Sequence, residues 1–181
     1  MQLNKMNKRG QVWIETVIYI LIGLSLITLV LAFVTPRINQ QRDKIIIEQT
    51  IVSLNTFDEK INEVIDAGKD NRRIVEFSMK QGELYFNLQN DEIVFVLSNL
   101  GSLYSEPNVA VPIGSVIVKT TERNDVSAVN LTLQYQNRAD LTFNSLNNKK
   151  FNPSSIPYKF SIENKGVQSG SLYNIEITQL T

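Results

Sequence analysis

The residues that could do chemistry here are few. The chain has no histidine and no cysteine, so it cannot build a Ser/His or Cys/His nucleophile pair, a zinc site of the common kind or a disulfide framework. Carboxylates remain, but Asp91 and Glu92 are adjacent, and successive side chains of a strand leave opposite faces, which makes them a poor acid–base pair. Asp66-Ala-Gly-Lys-Asp-Asn71 offers too few correctly spaced oxygens for a calcium loop. Neither a phosphate-cradling glycine motif nor a run of interleaved aromatic and basic residues is present. The expectation is a protein that is not an enzyme and uses no metal or cofactor. Two features keep chemical interest: Glu15, the single charge within Gln11–Val34, and Asn130-Leu-Thr132, an N-glycosylation sequon.

Glu15 is costly where it stands. From Val17 to Val34 no side chain is charged, and as a helix Val12–Val34 would reach about 34 Å, enough to cross a hydrocarbon core of about 30 Å. The β-branched residues in the run do not argue for a strand, because lipid leaves the backbone no partner but its own. A carboxylate near one end of such a segment either sits in water at the headgroups or is paired. A secretory signal peptide has a shorter apolar core and a small-residue cleavage site. Phe33-Val34-Thr35-Pro36 supplies no such site.

Eighteen basic residues match eighteen acidic ones, but Lys5, Lys8 and Arg9 stand in the first ten residues without an acid, which leaves 15 basic against 18 acidic in the remainder. That remainder lacks the basic field of a nucleic-acid binder. A basic leader beside a spanning helix tends to stay in the cytoplasm, so the rest of the chain is expected outside.

The order of these features, a basic leader with Lys8-Arg9-Gly10, then Gln11-Val-Trp-Ile-Glu15 and an uninterrupted apolar helix, resembles the N-terminus of archaeal type IV pilins and pilin-like proteins. The resemblance covers roughly residues 5–40. It implies that a membrane-embedded prepilin peptidase cuts between Gly10 and Gln11, and that Glu15 becomes the fifth residue of the mature chain. It also implies that the helix packs with copies of itself in a filament. A cut there would create an α-amine one helical turn from Glu15, and a neighbouring subunit's amine could pair with this carboxylate and set an axial register. Trp13 stands where many such chains have serine, and it fits an aromatic anchor at the membrane interface. The alternative is a monomeric surface-binding protein held by an uncleaved signal anchor. Either way the location is the cytoplasmic membrane with an extracellular body, or, after assembly, a cell-surface filament.

Beyond the membrane, Thr35-Pro36 is expected to end or kink the helix. Helical spacing resumes at Ile47, Ile51, Leu54, Phe57, Ile61, Val64 and Ile65, with Glu48, Asp58, Glu59, Lys60 and Glu63 mostly off that face and Gly68 as the C-cap. After Asn71 the period changes to two. About eight strands are expected, through Ile74–Met79, Gly82–Leu88, Glu92–Leu97, Gly114–Thr121, Val126–Tyr135, Asp140–Phe143, Tyr158–Glu163 and Leu172–Thr178, forming an antiparallel β-sandwich. Ser98–Pro112 and Asn144–Pro157 read as long loops that expose Tyr104, Glu106, Lys149, Lys150 and Phe151 for contact. The expected fold is thus α+β: a leader over 1–10, an apolar assembly helix over 11–35, an amphipathic helix over 36–68 and a β-sandwich over 69–181.

Overall fold

A computed structural model describes residues 8–123, 126–144, 146–167 and 172–180. One helix, α1 (Lys8–Ala67), precedes ten strands. They are β1 (Arg72–Phe77), β2 (Glu83–Asn87), β3 (Glu92–Leu100), β4 (Ala110–Ile113) and β5 (Val116–Arg123), then β6 (Val126–Gln134), β7 (Ala139–Thr142), β8 (Asn148–Phe151), β9 (Tyr158–Val167) and β10 (Tyr173–Leu180). The protein is therefore α+β, with a long apolar N-terminal helix and a β-rich C-terminal part. The chain divides into two compact units, one ending at Gln41 and the other running Arg42–Thr181, so the boundary falls inside α1.

In the first unit every large apolar side chain from Val12 to Val34 is exposed. The short hydroxyls do not compete with the helix for water, since Thr16, Ser25, Thr28 and Thr35 each donate to the carbonyl four residues earlier at 2.7–2.9 Å. Among the described residues this is the one helix long and apolar enough to cross a membrane. The helix does not end at Pro36, which lies inside α1. Proline lacks the one donor that would reach the Ala32 carbonyl, a loss of a single bond in a long helix.

The second unit has its own core. α1 contributes Ile47, Ile51, Leu54, Phe57, Ile61 and Val64, all buried. They meet a four-stranded sheet ordered β1-β9-β10-β7 and a six-stranded sheet ordered β4-β5-β6-β3-β2-β8. Phe57 shows how the three layers share one interior: its ring lies 6.0 Å from Phe86 of β2 and 5.9 Å from Phe160 of β9, which are themselves 5.3 Å apart. Alternation explains the inward faces, with Val75, Phe77 and Met79 buried beside β9 and Leu84 and Phe86 buried on β2. Gly68, at φ 87°, closes α1 as the C-cap, and Asn71 Nδ2 takes up the Ala67 carbonyl at 2.7 Å.

The sheets correct the expected strand list in three places. β4 and β8 lie in segments expected to be loops. β8 forms because Phe151 is needed inside, packed 5.4 Å from Phe86 and 5.1 Å from Phe160. β4 carries Pro112, which only an edge strand admits. The ladders are antiparallel except β7 with β10, which is parallel, so the pairing is not purely antiparallel.

Candidate functional site

The N-terminal residues marked by the sequence lie on one helix. Lys8, Arg9, Gly10 and Gln11 are in its first turns, with their side chains outside the described set, and Lys5 lies outside the described residues altogether. Trp13 is 71% exposed and Glu15 is exposed one half-turn later, within an otherwise uncharged apolar surface. Over residues 12–34 the large apolar side chains are exposed around the whole circumference of the helix.

A buried polar site, missed by the sequence reading, lies in the second unit. Asp58 is only 4% exposed. Its Oδ1 accepts from Arg138 Nη2 at 2.7 Å and Tyr135 Oη at 2.9 Å, and its Oδ2 from Ser115 Oγ at 2.6 Å and Asn62 Nδ2 at 3.1 Å. Burial pushes the carboxyl up, but the hydrogen bonds from Ser115, Arg138 and Tyr135 and the charge of Arg138 outweigh it, and Asp58 is held below the usual carboxylate range. The same burial and the facing carboxylate push the Tyr135 phenol well above its ordinary value. Asp58 therefore does not lie off the apolar face of α1. It sits four residues after Leu54 and three before Ile61, on the buried side, and this spacing was the available signal. With four donors on its two oxygens, Asp58 is a clamp joining α1 to the β4–β5 turn and the end of β6.

Glu163 and Glu176, paired across β9 and β10, both meet Lys165, at 2.7 and 3.1 Å, whereas Asp91 and Glu92 part. Asp91 Oδ1 accepts from the Leu141 backbone at 2.9 Å, and its carboxyl is raised by burial, while Glu92 points to the other side and bonds Gln134. Among the described residues no group of three or more acids could hold a metal.

The expected contact loops are also redrawn. Phe151 is buried, because β8 turns it into the core. Lys150 is tied to Glu83 at 2.7 Å, and Lys149 lies over the Phe151 ring. Tyr104 is half-buried against the core, while Glu106 is exposed. Asn130 lies on the outward face of β6, alternating with buried Val129 and Leu131, and its neighbours across the sheet are Lys119 and Val96. The outward orientation a sequon requires is present.

A groove of about 780 Å³ lies between α1 and the segment after β1. Ile45, Ile46, Val52 and Met79 line it together with Arg42 and Lys80. The groove surface is mostly apolar, and its charged residues are Arg42, Glu48 and Lys80. Compared with known protein families, curated proteins and solved structures, the chain matches none.

Proposed function

We propose that this chain is a pilin-like structural subunit of a type IV pilus-type surface filament of the archaeal kind. One observation carries the reading: a basic leader runs directly into a helix whose residues Val12–Val34 expose large apolar side chains all round and carry one charge, Glu15. Such a surface needs lipid or other helices around it. The internal hydroxyl bonds of Thr16, Ser25, Thr28 and Thr35 are compatible with that environment, since they leave none of these hydroxyl donors unsatisfied. In this reading the prepilin peptidase cuts before Gln11, the helix leaves the membrane into a bundle of its copies, and Glu15 pairs with a neighbour's new amine. We read the two sheets as the layers of a β-sandwich head that α1 helps to fill, carried outside the cytoplasmic membrane and then along the filament.

The mature N-terminus tests this. Mass spectrometry of the protein from native membranes should find a chain beginning at Gln11, or at its cyclised form, and a start at Met1 or Gln2 would leave the uncleaved anchor in its place. Glu15→Gln should be cleaved normally yet give markedly fewer filaments. Unchanged yield would remove the register role.

A further inference from the structure

The end of the Arg42–Thr181 unit at which α1 enters is built from three separate segments, and each offers apolar surface. The groove there has a floor of Ile45, Ile46, Val52 and Met79, with Arg42 and Lys80 as its cations. Glu48, which also lines it, lies 3.8 Å from Lys44. On one flank the Gly101 amide donates to Asp43 Oδ2 at 2.8 Å, which holds the loop bearing Leu103, 43% exposed. On the other the Ser154 amide donates to the Met79 carbonyl at 2.7 Å, which holds the loop bearing Ile156, 73% exposed. Neither 98–105 nor 152–157 contains an acid. The opposite end sets Lys69, Asp70 and Asp91 in its turns.

Exposure alone would not name an occupant, since Val167 is 60% exposed at that opposite end. Chain length does. Arg42 follows Val34 by eight residues, which spans about 12 Å as helix and about 27 Å fully extended. The headgroup layer beside the hydrocarbon is about 5–8 Å deep. Whatever the arrangement of the two units, the Arg42 end is tethered within reach of the bilayer surface when residues 12–34 span it.

We propose that this end of the unit docks on the surface of the bilayer its own helix crosses. Leu103 and Ile156 enter the interfacial layer, and Arg42 and Lys80 meet anionic phospholipid headgroups. The proposal rests on the spanning part of the functional reading and not on filament assembly. Docking would hold the unassembled subunit against the membrane with the groove covered.

The chain has no cysteine, so single cysteines report cleanly. Ser25→Cys, Leu103→Cys, Ile156→Cys and Val167→Cys are introduced one at a time in the full chain, spin-labelled and reconstituted in nanodiscs of phosphatidylcholine with or without phosphatidylglycerol. The Ser25 label should be open to oxygen and closed to a water-soluble nickel chelate. In the anionic discs the Leu103 and Ile156 labels should lose chelate access by about twofold or more relative to Val167. The loss should shrink without phosphatidylglycerol and in the Arg42→Gln, Lys80→Gln double variant. If Ser25 is lipid-embedded while Leu103 and Ile156 remain as open to the chelate as Val167 in both lipids, docking is overturned and spanning stands. Equal protection in both lipids overturns the role of the two cations, and a chelate-accessible Ser25 label overturns spanning and docking together.

Discussion

Asp58 shows what a single polar residue can fix in a small core. Its two oxygens take four donors from α1, from the β4–β5 turn and from the end of β6, so removing it leaves the buried Tyr135 hydroxyl and the Arg138 guanidinium without their acceptor. Breaking a buried pair from one side costs about 3–5 kcal/mol. Because Arg138 is 43% exposed and can turn to water, the lower end applies, and Asp58→Ala should lose about 3 kcal/mol in denaturant unfolding. A loss under about 0.5 kcal/mol would mean that the clamp is ornamental. The pH dependence has a fixed sign. Since the folded carboxyl is depressed, its contribution is complete above the unfolded value of about 3.9 and disappears as pH falls through the lower folded value. Asp58→Asn should therefore be less stable than the parent at neutral pH, and the gap should narrow below about pH 4. The sequence hid this residue for a physical reason: an acid on an apolar stripe reads as solvent-facing until its donors are known, and three of its four come from residues 57, 77 and 80 positions away.

At the scale of elements, legibility followed the strength of the local signal. The strands with clean alternation, such as Glu92-Ile-Val-Phe-Val-Leu, were placed from sequence because each inward residue is a large apolar one. β8 was not, because Asn148-Lys-Lys-Phe151 offers one core residue and depends on β2 for its register. β4 was not, because all four of its residues are exposed and one is proline. Pro112 has a use at that edge. Ile113 and Val116 flank the two-residue Gly114-Ser115 turn, with Gly114 at φ 64°, so they form the hydrogen-bonded pair and Pro112 points its nitrogen to the free edge. The proline thus deletes a donor from an edge that also exposes Val111 and Ile113. Pro112→Val should increase light scattering of the detergent-solubilised chain on incubation, and adding Val111→Lys should reverse it. Equal scattering by parent and Pro112→Val would show that the edge is guarded by something else.

The whole molecule divides at a place that sequence periodicity did not mark. The period changes from 3.6 to 2 near Asn71, which separates an amphipathic helix over 36–68 from the β body along the chain, while the apolar stripe of that helix calls for contact with the body. The packing makes that contact and puts Arg42–Ala67 inside the β-rich unit, with Ile47, Ile51, Leu54, Phe57, Ile61 and Val64 buried in its core. Burying one such side chain is worth about 1.5–3 kcal/mol, so six contribute about 9–18 kcal/mol. A domain of this size has a net stability of about 5–15 kcal/mol, which that loss would match or exceed. A chain beginning at Arg42 should unfold cooperatively on heating, followed by near-ultraviolet circular dichroism. A chain beginning at Lys69 keeps every strand but loses the layer on which Phe86 and Phe160 close, and it should show no cooperative transition while retaining β signal in the far ultraviolet. If the Lys69 chain unfolds with the same midpoint as the Arg42 chain, the sheets are self-sufficient and α1 is only a stalk. If it does not, one helix carries both the apolar surface outside the head and the centre of the head's core. Substitutions that loosen residues 47–64 should then weaken the head while leaving residues 12–34 untouched.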